Sequence, residues 1–82
     1  MKTRALIDVT LKEGILDPQG KTIEENLPSL GFNGVAGVRV GKHIELEIEA
    51  ASREDAEKQV EEMSMKLLSN PVIEEFTYRF EG

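Results

Sequence analysis

Residues able to do chemistry are sparse here, and their spacing argues against a catalytic centre. The chain carries one histidine, His43, and no cysteine. A general base needs a partner within hydrogen-bond reach, and the sequence points to none for His43. One histidine without thiolates cannot build a metal site unaided, so His43 is read as a structural or surface residue. Ser29, Ser52, Ser64 and Ser69 lie in or beside predicted helices, and none stands in a nucleophile elbow. Glu45, Glu47 and Glu49 form a carboxylate row along one strand face. Such a row can bind a divalent cation. The simpler readings are a solvated face, or one that meets Arg4, Arg39 or Arg79 on a neighbouring strand. Gly37-Val38-Arg39-Val40-Gly41-Lys42 sets two cations near two flexible glycines. Backbone N–H groups there can hold an anion, but the order is not that of a phosphate-binding P-loop. Hairpin geometry is the simpler explanation, and contact with a partner protein or its phosphorylated ligand is the alternative. No reactive constellation emerges, so the chain is expected not to be catalytic alone.

The elements that position these residues follow from periodicity. Residues 3–11 alternate, with Ala5, Ile7, Val9 and Leu11 on one side and Arg4, Leu6, Asp8 and Thr10 on the other, the period of a half-buried strand. Asp17 is a natural N-cap and Pro18 a natural first helical residue. Ile23, Leu27 and Leu30 share one narrow helical face, Gly31 is a C-terminal stop, and Pro28 is expected to kink or loosen the last turn near Leu27. Val38 and Val40 open a second strand. Ile44, Leu46, Ile48 and Ala50 then alternate with the three glutamates, and a three-residue loop at Gly41-Lys42-His43 pairs Val40 with Ile44 and Val38 with Leu46. Ser52 caps a second helix, with Asp55 as a weak capping box. Ala56, Val60, Met63 and Leu67 form its buried stripe, with Leu68 on the flank and Met65 opposite. Asn70 and Pro71 end it. Phe76, Tyr78 and Phe80 alternate along the last strand as core residues. The order is strand, helix, strand, strand, helix, strand. This is an α+β, ferredoxin-like βαββαβ fold, with a four-stranded antiparallel sheet and two helices on one face. One domain spanning residues 1–82 is expected.

Composition narrows the function classes. A chain of 82 residues buries only about 60% of its unfolded surface and usually needs a staple. Disulfides are excluded and a zinc site nearly so, which leaves self-association or a partner. Ten basic residues stand against 16 acidic ones, a net charge of -6. That sign disfavours nucleic acid and anionic membrane surfaces. The sheet also lacks the exposed aromatics of an RNA-binding platform. No apolar run approaches the ~20 residues of a membrane span, and Met1-Lys2-Thr3-Arg4 runs into a strand without a signal peptide's apolar region. A cytoplasmic protein is expected.

Three stretches carry a more specific signal. They are Thr10-Leu11-Lys12-Glu13-Gly14-Ile15-Leu16-Asp17-Pro18-Gln19-Gly20, Val38-Arg39-Val40-Gly41-Lys42-His43-Ile44-Glu45-Leu46 and Lys66-Leu67-Leu68-Ser69-Asn70-Pro71-Val72-Ile73-Glu74. In this order and spacing they closely resemble the PurS family, the small subunit of phosphoribosylformylglycinamidine (FGAM) synthase, with Pro28 a local departure. The resemblance implies a non-catalytic subunit of de novo purine biosynthesis. Such a subunit bridges a glutaminase, PurQ, and a synthetase, PurL, supports ammonia transfer between them, and self-associates as a dimer or tetramer. It implies no cofactor in this chain, ATP and Mg being bound by the synthetase. Asp17, Pro18, Gln19, Gly20, Arg39, Gly41, Lys42, Asn70 and Pro71 are the candidate partner contacts, since loops are where binding residues concentrate. The rival is a small-molecule regulatory domain of ACT-like type, which shares the strand order. An acylphosphatase-type enzyme would need an anion-binding arginine after the first strand, and Lys12–Leu16 has none.

Overall fold

The computed structural model covers residues 1–82. It contains a three-stranded antiparallel sheet and two helices: β1 (Lys2–Leu11), α1 (Pro18–Asn26), β2 (Gly41–Glu49), α2 (Arg53–Met63) and β3 (Glu74–Glu81). The sheet order is β2-β1-β3. Ile7 lies between Ile44 of β2 and Tyr78 of β3 in register. The alternation expected for residues 3–11 places Ala5, Ile7 and Val9 on the face covered by α2, each at most 1% exposed. Leu6 points the other way and is also buried. Its cross-strand neighbours on that face are Glu45 and Arg79.

Two expectations are corrected. The four-stranded sheet is three-stranded, because Val38 and Val40 do not fold back on Ile44 and Leu46. β2 begins at Gly41 without a hairpin before it. And α1 does not join α2 on the sheet. Of its residues only Gly20 is buried; Ile23 is 44% exposed and Leu30, in a 3-10 turn at Pro28–Leu30, is 71% exposed. The molecule therefore measures 51 × 27 × 14 Å with a radius of gyration of 16.2 Å. A compact chain of this length would have a radius of about 12 Å. Residues 12–40 form an arm projecting from the sheet.

The local signals of the arm hold. Asp17 caps α1 through its side chain, Pro18 is the first helical residue, and α1 ends before Pro28, whose ring forbids a further α-helical turn. Gly31 closes the arm's helical part with φ 94°, a left-handed conformation that suits glycine.

In α2, Ser52 Oγ accepts from the Asp55 N–H at 3.1 Å. The reciprocal bond goes one residue further out than in a regular capping box, from the Ala51 N–H to Asp55 at 3.2 Å. The helix then widens into a π-turn over Ser64–Leu68. This wide turn shifts the phase of the helix. Ser64 and Ser69 face inward with Leu68 half-buried, while Leu67, expected in the stripe, is 82% exposed. Ser64 Oγ is buried without a hydrogen-bond partner. A buried orphan hydroxyl costs about 1–3 kcal/mol. Ser64→Ala is therefore expected to stabilise the protein by about 1 kcal/mol and to raise the melting temperature by about 4–8 °C. A thermal scan checks this; a fall in melting temperature would show that the hydroxyl is satisfied in solution.

Candidate functional site

The antiparallel sheet order brings three connections to one end. The C-terminus of β1 at Leu11 lies beside the starts of β2 at Gly41 and β3 at Glu74. An open cleft of about 400 Å³ forms there, lined by Leu11, Asp17, Pro18, Gln19, Val40, Gly41, Lys42 and Glu74. Two of the three candidate segments, Asp17–Gly20 and Arg39–Lys42, thus meet directly, although Arg39 and Gly20 do not line this cleft. Asn70 and Pro71 stay outside it. Asn70 is tied to its rim, its N–H donating to the Glu74 carboxylate at 2.6 Å while Glu74 N–H donates to Asn70 O at 2.7 Å.

The arm is fastened at its root by two carboxylates. Asp17 accepts from the Gly20 N–H at 2.8 Å and from the Val40 N–H at 2.7 Å. Glu24 accepts from the N–H groups of Gly37 and Val38. The anions held by the Gly37–Val40 backbone are thus the chain's own. The Gly20 N–H bond, then the Val40 bond, holds the Asp17 carboxyl below the usual carboxylate range. Gly20 permits this closeness, since a Cβ there would lie 2.3 Å from Val38 O. Gly41 plays a like part at the sheet end, where a Cβ would lie 2.2 Å from Val9 O. Arg39 reaches Glu75 of β3 at 3.5 Å.

The sheet face away from α2 carries a charge network that no local sequence pattern announces. Asp8 is paired in register with His43, and the His43 ring lies between Asp8 (2.6 Å from Nδ1) and Glu45 (2.9 Å from Nε2). Arg79 approaches Asp8 at 3.6 Å, Arg4 bonds Glu45 at 3.0 Å and Lys2 approaches Glu47 at 4.0 Å. The glutamate row therefore meets cations on β1. Only the β1–β2 register could have announced the Asp8 contact. An imidazole facing carboxylates on both sides favours the doubly protonated, donating form and has no nitrogen free to act as a base. The bond to Asp8, then that to Glu45, raises the His43 pKa above its ordinary 6.5. The Glu45 carboxyl is held low by His43 first and Arg4 second.

A histidine whose pKa is higher folded than unfolded stabilises the fold fully below its unfolded value. That contribution is lost as pH rises through the folded value. An NMR titration of the His43 ring is expected to give a midpoint above 6.5, and His43→Gln should remove that part of the pH dependence of stability. A midpoint at or below the ordinary value would contradict the geometry. No cluster of three or more His, Asp or Glu side chains is arranged to hold a metal ion, and no helix is long and apolar enough to cross a membrane.

Fold and site together define a small α+β protein with little reactive chemistry, a free sheet edge and a loop cluster at one end. The family model for PurS, described as phosphoribosylformylglycinamidine (FGAM) synthase, matches residues 4–82. The PurS subunit of this synthase from Bacillus subtilis is 48% identical over 73 residues, covering 89% of this chain and 86% of that protein. The one from Methanocaldococcus jannaschii is 41% identical over 78 residues, covering 95% of this chain and 94% of that protein. A chain of the PurLQS structure from Thermotoga maritima superposes with a TM-score of 0.90 at 37% identity and covers 99% of each chain. This chain belongs to the PurS family.

Proposed function

We propose that this chain, the PurS subunit of FGAM synthase in purine biosynthesis, acts as a self-associating, non-catalytic bridge between the glutaminase and synthetase subunits. The observation that carries this reading is the near-complete likeness to a chain of a PurLQS structure. The loop cluster around Asp17–Gly20 and Arg39–Lys42 is the proposed docking end, with Asn70-Pro71 beside it. Its backbone is ordered by caps and carboxylate bonds, so docking there loses little chain entropy. ATP and Mg belong, on this reading, to the synthetase, and the assembly works in the cytoplasm.

The physical need for a bridge lies in the nucleophile. Ammonia set free in neutral water takes up a proton and loses its reactive lone pair. Passage through a closed, weakly charged route between apposed subunits keeps it neutral, since burial disfavours the charged form. The bridge contributes by holding the two active sites in apposition. Purified synthetase and glutaminase, assayed with and without this chain, test the reading. Glutamine-dependent synthesis should collapse without it, while synthesis from added ammonium should persist. Equal glutamine-dependent rates with and without the chain would end the bridging reading.

A further inference from the structure

The chain holds three asparagines, Asn26, Asn33 and Asn70, and the fold treats their amides differently. An asparagine amide is open to attack at Cγ by the backbone nitrogen of the next residue. That nitrogen must carry a hydrogen, be free of hydrogen bonds and approach without a side chain in the way. Asn70 precedes Pro71, which has no N–H. Asn26 ends α1. Its side-chain amide donates to Thr22 O at 2.7 Å, and the next N–H, that of Leu27, donates to Ile23 O at 3.1 Å. Both reacting groups are engaged there. Asn33 precedes Gly34 in the connection that returns from Gly31 towards Gly37. Both residues are exposed and lie in neither a helix nor a strand. No hydrogen bond ties down the Asn33 amide or the Gly34 N–H. A Cβ at position 34 would meet nothing within 4 Å, so the nitrogen is open on all sides. The wide backbone freedom of glycine lets the chain turn it onto Cγ.

We infer that Asn33-Gly34 is a site of self-modification, at which the arm converts its own side-chain amide to a carboxylate. Hydroxide takes the Gly34 N–H proton. The nitrogen bonds to Asn33 Cγ, the Cγ–Nδ2 bond breaks, and Nδ2 leaves as ammonia with a proton from solvent. The product is a five-membered succinimide. Water then opens the ring at either carbonyl. One opening gives an aspartyl residue. The other gives an isoaspartyl residue, whose main chain runs through the former side chain and is one atom longer. One water is consumed and one ammonia released, and nothing is oxidised or reduced. Either product adds a negative charge to a chain already at -6. The new carboxylate stands four residues before Gly37, whose N–H is held with that of Val38 by Glu24. Residues 33–36 take part in no backbone hydrogen bond. The extra main-chain atom is absorbed there, and the clamp at Glu24 survives the modification.

Incubation of the full chain in warm, mildly alkaline buffer, followed by isoelectric focusing and peptide mapping, tests the site. An acidic species should accumulate, with the change at Asn33 and not at Asn26 or Asn70. A protein isoaspartyl methyltransferase supplied with labelled S-adenosylmethionine should label the same peptide. Gly34→Ala, whose Cβ hinders the attack but meets nothing else in the fold, should slow the conversion at least tenfold. Asn33→Gln should abolish it, because the longer side chain would have to close a six-membered ring. The folded chain should convert Asn33 within tenfold of its rate in urea, since no structure stands in the way. Conversion more than tenfold slower folded than in urea overturns the inference. So does a slowing of less than tenfold by Gly34→Ala, or an acidic species that maps to Asn26 or Asn70.

Discussion

Ile7→Ala should leave the protein largely unfolded at moderate temperature. Ile7 has no exposed surface and stands at the centre of the middle strand, facing α2 through the cluster of Ala5, Val9, Ile48, Ala56 and Val60. Truncating a buried isoleucine to alanine costs about 2–5 kcal/mol, through lost transfer free energy and the cavity left behind. The upper half of that range applies. β1 is hydrogen-bonded on both sides and cannot shift to fill the void without breaking its register with β2 and β3. At about 0.05–0.15 kcal/mol per residue, a domain of this size has a total stability comparable to the loss. Chemical denaturation should show the midpoint collapsing for Ile7→Ala. Leu67→Ala, at a side chain 82% exposed, should change it by less than about 0.5 kcal/mol. A loss under about 1 kcal/mol at Ile7 would mean that the core lies elsewhere. In an oligomer the midpoint also depends on protein concentration, so both variants are compared at equal concentration.

The residues of that core are legible in the sequence because they are local. Ala5, Ile7 and Val9 alternate, Ala56 and Val60 lie one helical turn apart, and the caps Asp17 and Ser52 announce themselves by residue type and by the residues just after them. The illegible features depend on contacts distant in sequence. Val38 and Val40 have the pattern of a strand, yet a strand is defined by its partner. Their inward N–H groups are taken by Asp17 and Glu24, which no local rule connects to them. Leu67 departs from its expected place for another reason: one π-turn advances the helix by an extra residue and passes the buried position to Leu68. For the candidate site, antiparallel order alone implies that the connections after Leu11 and before Gly41 and Glu74 share one end. The carboxylate clamp that orders them is invisible without coordinates. The same holds for His43, whose second partner, Asp8, depends on the β1–β2 register.

Gly20→Ala isolates that clamp, because two principles predict opposite signs for it. Inside a helix, alanine is favoured over glycine by about 1 kcal/mol, and Gly20 lies in the first turn of α1 with no positive φ. Helix propensity alone predicts stabilisation. Yet the new Cβ would lie 2.3 Å from Val38 O and 2.8 Å from Asp17 Oδ2. The first of these atoms is backbone and cannot swing aside. Relief requires moving the Gly37–Val40 segment off α1, and that movement stretches the bonds from Val40 to Asp17 and from Val38 to Glu24. Overpacking of this kind costs about 1–3 kcal/mol and also loses hydrogen bonds at about 1 kcal/mol each. The steric term wins. A net loss of about 2 kcal/mol is expected, or about 8–16 °C in melting temperature. Gly34→Ala is the matched control. Its Cβ would meet nothing within 4 Å, and its melting temperature should hardly move. If Gly20→Ala raises the melting temperature, α1 and the 37–40 segment are not held together in solution.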